Sequence, residues 1–226
     1  MSASSREIDA GGRGEPDRHA RGDVDPRAWR EETASLGMWV FLATELMFFG
    51  GLFLAYLYLR THDPEGVAAA STHTHEWLGT INTAILLTSS FAMALAVHAA
   101  KDARRKAAQR LLVVTAAFGL AFLVVKGIEY GMEWRDGLVP GLRFTLAENT
   151  RTATLFFFLY FVATGIHAVH LAIGVATVLW IAWRLRAAAL PGWRVDEIDV
   201  LGLYWHFVDA VWIFLYPLFY LVNLNA

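Results

Sequence analysis

Residues 36–60, LGMWVFLATELMFFGGLFLAYLYLR, constrain the fold more than any other stretch. The run is 25 residues long and carries one charge, Glu45, before its terminal Arg60. At about 1.5 Å per residue, a helix of this length crosses a hydrocarbon layer of about 30 Å. A carboxylate a third of the way along is costly there unless it is protonated or partnered. Four more apolar runs follow, at about 77–100, 110–130, 153–183 and 200–224, the last with Pro217 near its end. The run at 153–183 is long enough to predict a tilted helix or one that extends past the interface. All five runs are continuous rather than alternating, which argues against strands. The expected fold class is therefore all-α: a polytopic membrane protein whose residues 36–226 form a five-transmembrane-helix bundle.

Composition agrees, since 56% of the residues are hydrophobic, too many for an ordinary soluble domain. Residues 1–35 are instead polar, rich in Gly, Arg, Asp and Ser. They read as a disordered tail, with Asp25-Pro26 starting a short interfacial turn and Trp29 at the membrane surface. This tail lacks the apolar core of a cleavable signal. The chain has no cysteine, which excludes disulfides, thiolate metal sites, iron–sulfur clusters and covalent c-type haem attachment. A net charge of −2 gives no sign of a nucleic-acid partner. Nothing resembles a phosphate loop, a Ser–His–Asp set or a nucleotide fingerprint.

Lysine and arginine set the expected orientation. The tail holds six, the 101–110 connection five and the 184–194 connection three, fourteen on one side. Arg60, Arg135, Arg143 and Arg151 make four on the other. The bias places the N-terminus in the cytoplasm and the C-terminus outside. Trp39, Trp77, Trp134, Trp180 and Trp183 fall near the predicted helix ends, where interfacial aromatics concentrate.

Several titratable residues lie within the apolar runs. Glu45, His206 and Asp209 fall at similar predicted depths in the cytoplasmic third. Two readings are open: a cluster of the three, or local contacts made by each. His167 and His170 are three apart and share a helix face. They could bind a metal, but no acidic ligand lies within a turn. Inter-helix hydrogen bonds are the favoured reading, with Gly165 and Gly174 permitting close approach. A b-type haem needs two ligands at matched depth; His98 and His206 are the pair to consider, and the reading is disfavoured. Lys126, Glu129 and Glu133 follow helical spacing, which predicts a modest salt bridge anchoring a helix end. His73-Thr74-His75 is a weak chelating motif.

These residues also resemble a known family. GMWVFLATELMFFGGLFLAYLYLR is similar to the glutamate-bearing helix of subunit III of the haem–copper oxidases, the cytochrome c oxidase subunit 3 family. The resemblance continues through Asn82-Thr83-Ala84-Ile85-Leu86-Leu87-Thr88-Ser89-Ser90 and Lys126-Gly127-Ile128-Glu129-Tyr130. It extends through Thr164-Gly165-Ile166-His167-Ala168-Val169-His170 and closes with Tyr204-Trp205-His206-Phe207-Val208-Asp209-Ala210-Val211-Trp212. The blocks fall in the family's order and touch every predicted helix. The longest members have seven helices; this chain resembles the five-helix form, which lacks the first two and with them one side of a lipid-filled cleft.

The resemblance implies an accessory, non-redox subunit of a terminal oxidase that reduces O2 to water and pumps protons. Haem and copper would lie in partner subunits, with no cofactor or catalytic residue in this chain. Its implied partners are the catalytic subunit I, other oxidase subunits and phospholipid. Its implied role is to stabilise the catalytic subunit and support proton uptake. Glu45 matches the family's buried carboxylate, and His167, His170, His206 and Asp209 match positions expected to be structural or lipid-contacting. Lys126 and Glu129 are structural candidates alongside them. The implied location is the bacterial plasma membrane. Subunit III of a quinol oxidase, a nitric oxide reductase-associated homologue and a b-type cytochrome anchor are the alternatives.

Overall fold

The computed structural model describes residues 26–72, 74–140, 150–187 and 195–221. They form six helices: α1 (Pro26–His62), α2 (Pro64–Ser71), α3 (Glu76–Lys101), α4 (Arg105–Arg135), α5 (Thr150–Ala187) and α6 (Val195–Tyr220). No strand occurs among the described residues. All but α2 are long and apolar enough to cross a membrane, so the protein is all-α with five candidate spans.

The helices begin earlier or end later than the apolar runs suggest. α1 takes in residues 26–35, which composition assigned to the disordered tail; Pro26 opens it, at a position where a missing N–H costs nothing. Residues 1–25 and His73 lie outside the described residues. α6 begins at Val195, with Asp196 and Glu197 in its first turn, where negative charge complements the helix dipole. α4 carries its charged ends, Arg105 to Arg110 and Glu133 to Arg135, as helix. α2 was not anticipated. Asp63 starts it, accepting the Gly66 N–H on Oδ1 at 2.9 Å, with Pro64 in the first turn.

α3, α4, α5 and α6 close a ring in which α3 and α5 each pack on both α4 and α6. α1 lies outside the ring against α5 and α6, and α2 touches α1 and α5. The interior is filled by Met93, Leu112, Phe122, Phe157, Leu171, Trp205 and Trp212, all buried. In lipid this association is driven by close packing rather than by exclusion of water. Gly119 shows how tight it is. A Cβ there would stand 2.6 Å from Val175 and 3.0 Å from Trp205. Gly174 serves the same end, 3.2 Å from Tyr204, whereas a Cβ on Gly165 would make only ordinary contact at 3.7 Å.

The α3–α4 connection is short because α3 ends in a left-handed residue. Ala103 has φ 56°; Arg104 N–H reaches the Ala99 carbonyl at 2.9 Å and Ala103 N–H reaches Ala100 at 3.0 Å. This is a Schellman closure. α4 ends the same way on Gly137, φ 71°, with Leu138 N–H on the Glu133 carbonyl at 3.0 Å. At the end of the bundle where α4 and α6 begin, Lys101 pairs with Asp199 and Arg184 with Glu197, each at 2.9 Å. Arg105 donates to the Leu185 carbonyl from Nε at 2.9 Å and also from Nη2. At the opposite end the Thr152 hydroxyl donates to Asp63 Oδ2 at 2.7 Å, and Thr80 and Tyr216 share a hydrogen bond of 2.7 Å.

Candidate functional site

Glu45 meets His170, not His206 or Asp209. Its Oε2 lies 3.2 Å from His170 Nε2, with the two side chains 18% and 19% exposed. The approach is close without the alignment of a full hydrogen bond. Of the two open readings, the cluster of Glu45 with His206 and Asp209 is not formed. α1 leans on α5 as well as α6, and the stripe Glu45, Phe49, Leu52 and Tyr56 repeats at helical spacing. Phe49 on that stripe lies against His170, with ring centroids 5.9 Å apart.

The tautomer of His170 follows from its other nitrogen. Nδ1 lies 2.9 Å from the Ile166 carbonyl, which only accepts, so Nδ1 carries a hydrogen. One further proton between Nε2 and Oε2 makes the contact attractive, either as acid and imidazole or as carboxylate and imidazolium. Without that proton, two lone pairs would face each other. Tyr204 of α6 donates to the His170 carbonyl at 2.9 Å, which ties all three helices to the pair.

A second cluster is wholly interior. Lys126, Glu129 and Glu133 are 2%, 0% and 0% exposed. Lys126 Nζ donates to Glu129 Oε2 at 3.1 Å, Tyr160 Oη at 2.8 Å and Tyr220 Oη at 2.5 Å, so all three ammonium protons are used. Tyr220 donates to Glu129 Oε1 at 2.7 Å. Tyr160 lies 2.5 Å from Glu133 Oε1 and 3.0 Å from Glu129 Oε1; its one hydrogen serves one of them at a time. Glu133 Oε2 has no hydrogen-bond partner. The ammonium also lies 4.6 Å from the Tyr160 ring centroid and 5.0 Å from that of Tyr130. The expected local salt bridge is thus the α4 side of a knot joining α4, α5 and α6. Sequence reasoning missed Tyr160 and Tyr220, although a phenol inside an apolar run needs a partner.

The two α5 histidines part company. His167 is 1% exposed and sits between Phe122 and Trp212, at centroid distances of 5.6 and 5.2 Å. Its Nε2 has no hydrogen-bond partner, so the inter-helix hydrogen bond expected of it is not made there. His98 and His206 differ in depth. His98 is near the end of α3, 3.6 Å from Asp102 and 70% exposed, whereas His206 is near the middle of α6. His206 Nδ1 is 2.8 Å from Ser90 Oγ, and Asp209 beside it is 3% exposed. Among the described residues, no three His, Asp or Glu side chains form a group able to hold a metal ion. Of the His73–His75 motif, Thr74 is buried and bonds the Ser71 and Phe219 carbonyls.

Five long apolar helices with ionisable side chains packed between them define an integral membrane protein. The family model for cytochrome c oxidase subunit III matches residues 30–223. A relative named "Cytochrome c oxidase subunit 3" from Thermostichus vulcanus is 35% identical over 196 residues, 83% of this chain and 87% of the relative. "Probable quinol oxidase subunit 3" from Staphylococcus epidermidis is 25% identical over 206 residues, 91% of this chain and 97% of the relative. A protein of the same name from Staphylococcus aureus is 25% identical over 207 residues. The chain belongs to the cytochrome c oxidase subunit III family.

Proposed function

We propose that this chain is an accessory, non-redox subunit of a terminal haem–copper oxidase. The observation that carries the reading is the family match over residues 30–223. The complex would reduce O2 to water and pump protons, taking electrons from cytochrome c or from a quinol. Haem and copper would sit in the catalytic subunit, and this chain would pack against it and hold phospholipid. The similarity to relatives named for both cytochrome c and quinol oxidases supports a donor chosen elsewhere in the complex. The location is a bacterial plasma membrane. A cytoplasmic N-terminus is supported by Lys101, Arg104, Arg105, Arg184 and Arg186 gathering where α4 and α6 begin.

Within this role Glu45 of α1 and His170 of α5 bring the two helices together at a half-buried site. That contact would help to keep α1 docked on the bundle in lipid. The Lys126 knot fixes the ring against which α1 rests. The test is deletion of the chain from its own organism. The remaining oxidase is expected to start near its normal rate and to inactivate faster during turnover. An unchanged inactivation rate would contradict the stabilising role.

A further inference from the structure

Among the described residues, His206 is the one titratable side chain that is both exposed and far from either end of its span. It stands seven residues, about 10 Å, past Asp199, which pairs with Lys101 at the end of the bundle, and 14 residues, about 21 Å, before Tyr220. Acyl chains at that depth offer no hydrogen-bonding group, and an unsatisfied polar atom in hydrocarbon costs several kcal/mol. The imidazole is also held in place. Ser90 of α3 engages Nδ1 at 2.8 Å, which leaves Nε2 as the ring's open nitrogen. Asp209, one turn on, is buried beside Ser90, and neither carboxyl oxygen makes a well-formed hydrogen bond. The two helices approach closely here: a Cβ on Gly202 would stand 2.8 Å from Val97. Around this polar centre the surface is apolar. Leu87, one turn before Ser90, is 51% exposed, and Ile213, two turns after His206, is 47% exposed.

We infer that the α3/α6 face centred on His206 is the seat for a membrane-spanning helix of the larger oxidase subunit, a helix that presents a hydroxyl or carboxamide to the imidazole Nε2. Such a group donates or accepts, and so serves either tautomer of the ring. A lipid would cover the apolar flanks and leave Nε2 unmatched. The inference rests on the reading of the chain as an accessory oxidase subunit and adds where that subunit is gripped.

The test uses the full chain in its native membranes, with a photocrosslinking benzoylphenylalanine at Ile213 or, as a control on α4, at Val124, which is 61% exposed. An adduct between Ile213 and the catalytic subunit, absent from Val124, is the expected result. An adduct from Val124 but not Ile213, or lipid adducts alone from Ile213, would overturn the seat while leaving the oxidase-subunit reading intact. Failure of the unmodified chain to co-purify with any oxidase would instead overturn that reading, and the seat with it. His206→Leu should lower the catalytic subunit retained per chain in stringent detergent by about three- to tenfold. His206→Gln, which keeps a polar group, should recover part of the loss. Equal retention by His206→Leu and the parent would count against the seat.

Discussion

Tyr220, the last residue of α6, donates its phenol hydrogen to Glu129 on α4 at 2.7 Å. The same oxygen accepts from Lys126, so one phenol closes the end of the bundle onto a buried charge pair. Tyr220→Phe leaves an ammonium hydrogen and a carboxylate oxygen without this partner in the buried interior of the bundle. It is expected to destabilise the fold by about 1–3 kcal/mol, read as a lower thermal midpoint in detergent. An unchanged midpoint would show that the phenol is not structural.

Lys126→Met should be worse than Tyr220→Phe, because it leaves two acidic side chains buried with no cation. A loss of about 3–5 kcal/mol follows from breaking a buried pair. Adding Glu129→Gln and Glu133→Gln removes the stranded charge and should return most of the stability. If the triple variant is less stable than Lys126→Met alone, charge is not what governs this site.

Glu45→Gln keeps the shape of the side chain and can offer an amide N–H to His170 Nε2, so α1 should stay docked on His170. The complex is expected to assemble and keep most of its initial turnover. Complete loss of activity in a fully assembled Glu45→Gln complex would contradict this.

The left-handed Ala103 closes α3 at a position where L side chains are disfavoured by about 1–2 kcal/mol, and the equivalent position on α4 is Gly137. Ala103→Gly should therefore stabilise the chain by up to about 1 kcal/mol. The check is the unfolding midpoint of the purified variant, which should rise; a fall would mean that the methyl packs usefully.

Asp63 lies beyond the span of α1, and the Thr152 hydroxyl, then the Gly66 amide, hold its carboxyl below the usual carboxylate range. A lowered folded value means the stabilisation is present above the unfolded value, about pH 4, and is lost as the pH falls below it through the lower folded one. Asp63→Asn keeps a neutral cap and removes the charge. The midpoint difference between the parent and Asp63→Asn should be seen at pH 6 and shrink toward pH 3. A difference that grows on acidification would reverse the sign and refute the assignment.

The five spans were legible because lipid tolerates few alternatives: long apolar runs must be helices. Helix ends were less legible. Charged residues such as Arg105 and Glu133 look like loop on a hydropathy reading but continue the helix. α2 was missed because eight residues of mixed polarity carry no periodic signal, and its start depends on the Asp63 cap. Depth alone grouped Glu45 with His206, yet which helix α1 leans on depends on packing, which depth does not encode. The same limit hid Tyr160 and Tyr220 from Lys126, 34 and 94 residues away in sequence.

The central claim is a helical membrane chain that holds no redox centre and acts by docking on one that does. It is tested most directly by purifying the tagged chain from native membranes, recording the haem spectrum, and then separating the subunits gently. A haem-bearing catalytic subunit is expected at fixed ratio to the chain, with all haem absorbance leaving with that partner. Haem retained by the separated chain, or a chain that purifies alone from intact membranes, would contradict it.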